Sequence, residues 1–200
     1  MTYTLPRYAS YESYLNAEEL SSEGNYRLLD TGELIEVPLE DDLNAAIISV
    51  LFAAIIMAKG AGFAKFIRPG NKEMQVCPVG DKCVNRKPDL LVIKQVHRDH
   101  AKQAILLGMP APDFIAEVVS PGSESSENYK RDYIWKREQY EWWKIPEYWI
   151  IDPHRDKVTV LNLVDGRYQE TVFTGMQLIN SVTYPNLQIT AEALLNGDID

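Results

Sequence analysis

Cysteine, histidine and positive charge are all in short supply in this chain, and each shortage closes off a class of function. There are two cysteines and three histidines in 200 residues. Cys77 and Cys83 stand in CPVGDKC, a spacing that is not a common zinc pattern and has no histidine beside it to complete a quartet. A pair of reduced loop thiols is the expectation, which suits a cytoplasmic protein. His97, His100 and His154 are scattered in polar, turn-like contexts, so a histidine general base is not expected. Lys and Arg number 20 against 29 Asp and Glu, a formal charge of −9. That balance argues against the broad basic surface of a nucleic-acid binder, so any polyanion must meet a local basic patch or a metal ion. Residues 1–25 lack the apolar core of a signal peptide. The longest apolar run, residues 43–58, includes Asn44 and Ser49 and falls short of the ~20 residues a membrane span requires.

What is present is an ordinary globular composition, 46% hydrophobic and 24% charged, in a chain long enough to build one core without disulfides. No repeat, low-complexity tract or linker splits it. The expected organisation is an N-terminal extension over residues 1–23 and one domain over residues 24–195.

A short helix is expected within residues 8–20. Residues 26–29 and 33–37 flank Asp30-Thr31-Gly32 as a hairpin. Asp41 and Asp42 supply capping charge to the apolar helix that closes on Lys59-Gly60. Strand patterns follow at 63–68, 74–77 and 89–93, then a polar connection over 94–111. Later strands are expected at 113–119, 146–151, 157–163, 168–173 and 187–189, and a last helix capped by Thr190. One buried helix, a mixed sheet, a second helix and a meander make an α+β or mixed α/β fold without regular βαβ alternation.

The chemistry concentrates in PDFIAEVVSPGSESSENYKRDYIWK, residues 112–136. Glu117 sits in the apolar strand pattern, and an ionised carboxylate buried there needs a cation or a proton. Asp89 opens DLLVI, and two adjacent strands could bring both acids to one sheet edge, where a hard divalent ion offsets their repulsion. The competing account of Asp89 is a simple cap on the Lys87-Pro88 turn. On a helical wheel Lys136 falls in the stripe of Tyr129, Tyr140 and Trp143, with Asp132 close by and Tyr133 a little further round, so it should point inward. A surface pair with Asp132 at i,i+4, or a lysine snorkelling past the rings, would explain the pattern as well. Glu36, between Ile35 and Val37, offers a third acid, and Glu33 competes with it. Ser120 is explained by turn formation, since no G-x-S-x-G elbow surrounds it. The aromatic cluster of Trp142, Trp143, Tyr148 and Trp149 reads as core.

PDFIAEVVSPGS and RDYIWKREQYEWWKIPEYWIIDP, with PDLLVI and GELIEVPLE upstream, closely resemble the bacterial Uma family of restriction-endonuclease-like proteins over about residues 24–190. The resemblance implies a PD-(D/E)XK nuclease fold: a mixed central sheet flanked by helices. It also implies a metal site in which Asp89, Glu117 and Glu36 hold Mg²⁺ or Mn²⁺. The lysine of the broader nuclease pattern would fall at Val119; in the family it moves to the next helix, matched here by Lys136 ahead of Tyr140. The implied activity is hydrolysis of phosphodiester bonds in DNA by a homodimer. The rival is a nuclease-fold interaction module that no longer cuts, and a poorer third reading is a hydrolase of smaller phosphoesters.

Overall fold

The computed structural model describes residues 5–17, 26–36 and 42–198. Its spine is α2 (Asp42–Lys59), following α1 (Tyr11–Leu15) and the hairpin of β1 (Tyr26–Leu28) and β2 (Leu34–Glu36). Asp42 at the start and Lys59 at the end of α2 complement its dipole. By length and hydropathy α2 could cross a membrane. Here Ile47, Leu51 and Ile55 instead lie fully buried in the core, the packing of a core helix.

Between α2 and the sheet, residues 61–66 form a 3₁₀ helix rather than the expected strand. Three residues per turn bring i and i+3 together, and the Phe63 and Phe66 rings meet at 5.5 Å between centroids. The strand begins only at β3 (Ile67–Pro69). There follow β4 (Glu73–Gln75), β5 (Asn85–Arg86), β6 (Leu90–Val92), α3 (Gln95–His100), β7 (Ala104–Ile105) and β8 (Phe114–Val118). The region read as a polar connection therefore holds a helix turn and a strand. Buried His97 organises it: its Nδ1 accepts from Lys94 N at 3.1 Å, and its Nε2 bonds Pro110 O at 2.8 Å.

One helical run then covers residues 127–142. It comprises α4 (Glu127–Tyr129), a π-helical turn (Lys130–Trp135) and α5 (Lys136–Trp142). The meander follows as β9 (Glu147–Asp152), β10 (Lys157–Val164) and β11 (Arg167–Phe173). Residues 187–189, expected as a strand, form none: Ile179 N donates to Ile189 O at 2.9 Å, and an isolated bridge follows between Leu178 and Thr190. Thr190 caps α6 (Ala191–Asn196) as expected, its side chain accepting from Ala193 N.

The central sheet runs β11-β10-β9-β8-β6-β3. Only β8 and β9 pair in parallel within it. This mixed sheet with helices on both faces is the expected α+β fold. Strand alternation divides the core into two layers. Leu90, Val92, Phe114, Ala116, Val118 and Trp149 face α2 and α6, whereas Leu91, Ile115, Val119, Tyr148 and Ile150 face Tyr140 and Trp143 of the 127–142 run. A smaller cluster packs α1 and the hairpin together through Tyr11, Tyr14, Leu28 and Leu34.

Candidate active site

The alternation that buries Ala116 and Val118 on one face sends Glu117 to the other, toward the 127–142 helical run. Strand β6 pairs antiparallel with β8, Leu90 opposite Ala116. One step further along that register, Asp89 lies opposite Glu117 and on the same face. The Asp89 side chain reaches across: its Oδ2 accepts from Val118 N at 2.6 Å. That bond reaches the neighbouring strand, which a simple cap on the Lys87-Pro88 turn would not require.

Glu117 is 2% exposed and is bonded at both oxygens. Lys136 Nζ donates to Oε2 at 2.8 Å and the Tyr140 hydroxyl donates to Oε1 at 2.5 Å. Lys136 also pairs with Asp132 Oδ1 at 2.9 Å. The surface-pair account of Lys136 is thus half right: the i,i+4 contact exists, but it is buried and shared with Glu117. Asp132 takes further bonds from Arg131 Nε and Nη2, each at 3.0 Å, and from Ser120 N at 3.2 Å. Arg131 Nη2 reaches Ser120 Oγ at 2.8 Å, so the turn after β8 is tied to this ion-pair network.

The electrostatics follow from these contacts. Burial pushes the Lys136 pKa down, but Asp132, Glu117 and Asp89 together carry it above its ordinary value. Lys136 therefore stays charged and cannot serve as a base near neutrality. Burial pushes Asp132 up, yet Lys136 and Arg131 more than reverse this and hold it at about 2. Burial and the Glu117 charge raise Tyr140 well above the usual phenol range, so it remains a donor to Glu117. The π turn widens the helix just ahead of Lys136, a distortion often found at functional sites. Asp132 and Lys136 enter the network while Tyr133 bonds Asp152 Oδ2 at 2.6 Å, at the end of β9.

The structure thus brings Glu117, Lys136 and Asp89 to one sheet edge. It does not bring Glu36 there. Glu36 is exposed at the end of β2, opposite Tyr26, and among the described residues no hydrogen bond or ion pair joins it to the group. Glu33 pairs with Arg7 at 3.0 Å on the surface. Sequence reasoning undervalued Asp132, whose position four residues before Lys136 was the available signal, and missed buried Arg86.

No group of three or more His, Cys, Asp or Glu side chains is poised for a metal among the described residues. The donor set nevertheless suits Mg²⁺, which takes one or two carboxylates and completes its shell with water and substrate oxygens. A carboxylate offers about four acceptor sites, so the bonds from Lys136 and Tyr140 leave capacity on Glu117.

A family model described as "Putative restriction endonuclease", Uma2, matches residues 11–192. The chain belongs to the Uma2 family. The match takes in every site residue considered above, and Uma2 membership supports a nuclease function. A solved structure described as a "putative nuclease belonging to DUF820" from Anabaena variabilis superposes with a TM-score of 0.61. It is 18% identical, covering 93% of this chain and 97% of that one, a likeness that shows the fold. No curated protein matches this Uma2 chain.

Proposed function

We propose that this chain is a metal-dependent endonuclease that hydrolyses phosphodiester bonds in DNA. The observation that carries the reading is the buried Lys136–Glu117 contact beside Asp89, at an edge where two strands present their acids on one face. Asp89 and Glu117 would hold Mg²⁺ or Mn²⁺. Such an ion lowers the pKa of a bound water and offsets charge on the scissile phosphate. Lys136, held cationic by three carboxylates, stabilises negative charge that develops on the phosphate oxygens. Tyr140 fixes the Glu117 carboxylate, and Asp132 holds the lysine from the other side. Glu36 is outside this arrangement as described and is not needed for it. A homodimer and a cytoplasmic setting belong to the same proposal; the edge strand β11, with Val172 exposed, offers one surface for self-association.

A second reading has one observation in its favour. Lys136 is already neutralised by two acids, as a structural ion pair in a non-cutting module would be. Incubation with plasmid, linear duplex and single-stranded DNA plus Mg²⁺ or Mn²⁺ separates the two. The endonuclease cuts at least one of them, and Asp89→Asn and Glu117→Gln abolish cutting while the protein stays folded. No cleavage, together with no heat of Mn²⁺ binding, establishes the module instead.

A further inference from the structure

A second cluster of charge adjoins the carboxylates. Arg27 on β1 lies within electrostatic reach of Arg86 on β5 and Arg131 in the π turn, where the hairpin runs along the three-stranded sheet β5-β4-β7. Leu28 N donates to Asn85 Oδ1 at 2.7 Å, and Val84 N donates to Leu28 O at 2.9 Å, which lays Arg27 beside the segment bearing Arg86. Burial and the charges of Arg131 and Arg86 lower the Arg27 pKa, and Asp132 lies within electrostatic reach.

The three guanidiniums are unequally compensated. Arg131 has Asp132 and Ser120. Arg86, 3% exposed, gives Nη2 to both oxygens of Asp81 and Nε to Gln139 Oε1 at 2.7 Å, but its buried Nη1 has no partner. Arg27 makes no ion pair with a carboxylate among the described residues. In the hairpin register it stands opposite Ile35, on the face away from buried Leu28 and Leu34. Ile35 is 45% exposed and Arg27 itself is half-buried, so that face reaches solvent beside Ile35. The cluster is also connected to the carboxylates: Arg131 bonds both oxygens of Asp132, Lys136 shares Oδ1, and Lys136 reaches Glu117.

A guanidinium fork matches the geometry of a phosphate oxygen pair. In a chain of net charge −9, a polyanion can approach only where such groups are gathered. We propose that Arg27, backed by Arg131 and by the sealed charge of Arg86, contacts a backbone phosphate of a DNA strand adjacent to the one held at Asp89 and Glu117. The identity of the strand rests on the endonuclease reading; the anion contact rests on the cluster.

The test is binding of a fluorescent duplex oligonucleotide in EDTA, followed by anisotropy across a salt titration, for the wild type, Arg27→Ala, Arg27→Lys, Arg27→Gln and Asp89→Asn. Loss of one phosphate contact should weaken Arg27→Ala and Arg27→Gln by about tenfold at low salt and reduce the salt slope by about one. Arg27→Lys should keep the slope and recover part of the affinity, and Asp89→Asn should bind at least as well as the wild type. Wild-type affinity and slope in the folded Ala and Gln variants would overturn the contact, as would a wild type that does not bind. Cleavage with Mg²⁺ is followed in parallel. Cutting that Asp89→Asn abolishes, with binding indifferent to Arg27, overturns the contact and leaves the endonuclease standing. Arg27-dependent binding without any cutting supports the contact and removes the endonuclease.

Discussion

Lys136 Nζ lies 2.8 Å from Glu117 Oε2 although the two residues are 19 apart in sequence and belong to different elements. Among the described residues Glu117 has Lys136 as its cation, and Lys136 divides itself between Glu117 at 2.8 Å and Asp132 at 2.9 Å. Stability and the proposed chemistry therefore share one contact, and substitutions should separate the two in predictable ways.

Replacing Lys136 with Met keeps the unbranched apolar stem of the side chain and removes its charged end. Glu117 and Asp132 are then left buried with one cation fewer between them, and the loss should be ~3–5 kcal/mol. Lys136→Arg should retain most of the stability. Urea denaturation measures this directly; a Met variant as stable as the wild type would show that the ion pair contributes nothing net.

Asp89→Asn tests the other half. An amide oxygen can still accept from Val118 N, so stability should change by no more than ~1 kcal/mol. Mn²⁺ affinity by calorimetry should nevertheless fall at least about tenfold, and cleavage should disappear, because a hard divalent ion needs the carboxylate charge. Unchanged Mn²⁺ binding would remove Asp89 from the proposed site.

Tyr140→Phe takes one donor from Glu117 and leaves its charge. The buried Oε1 loses its partner at a cost of ~1–3 kcal/mol, and metal affinity or cleavage rate should fall by about 10–100-fold, as when an outer support of a ligand is removed. Thermal melting and Mn²⁺ titration read the two effects separately. Full activity in the Phe variant would mean that Lys136 alone positions the carboxylate.

Asp132 gives the pH dependence. Its folded-state pKa of about 2 lies below the ordinary 3.8, so on acidification the unfolded chain takes up the proton first. The stabilisation is complete above about pH 4 and is lost as pH falls through about 2, a contribution of ~2 kcal/mol. Asp132→Asn should flatten this part of the acid limb in urea midpoints. An acid limb identical to the wild type's would assign the pH dependence to other carboxylates.

The sequence by itself determined the local half of this protein. Period-two alternation in FIAEV places Glu117 on the face opposite Ala116 and Val118, and the same logic carries Asp89 with Leu91. The spacing of Tyr140 and Trp143 around Lys136 marks the inward face of its helix, and Thr190 announces the last one. These are near-neighbour effects, set by backbone geometry within a few residues. Tertiary structure decided what meets what. Only the strand order puts β6 beside β8 so that the two acids share an edge, and only the packing of residues 127–142 on that face brings Lys136 to Glu117. The π turn, the 3₁₀ helix at 61–66, the exposed position of Glu36 and the proximity of Arg27 to Arg86 and Arg131 were likewise out of reach. Each depends on contacts between segments far apart in the chain, where burial and charge pairing outweigh local preference.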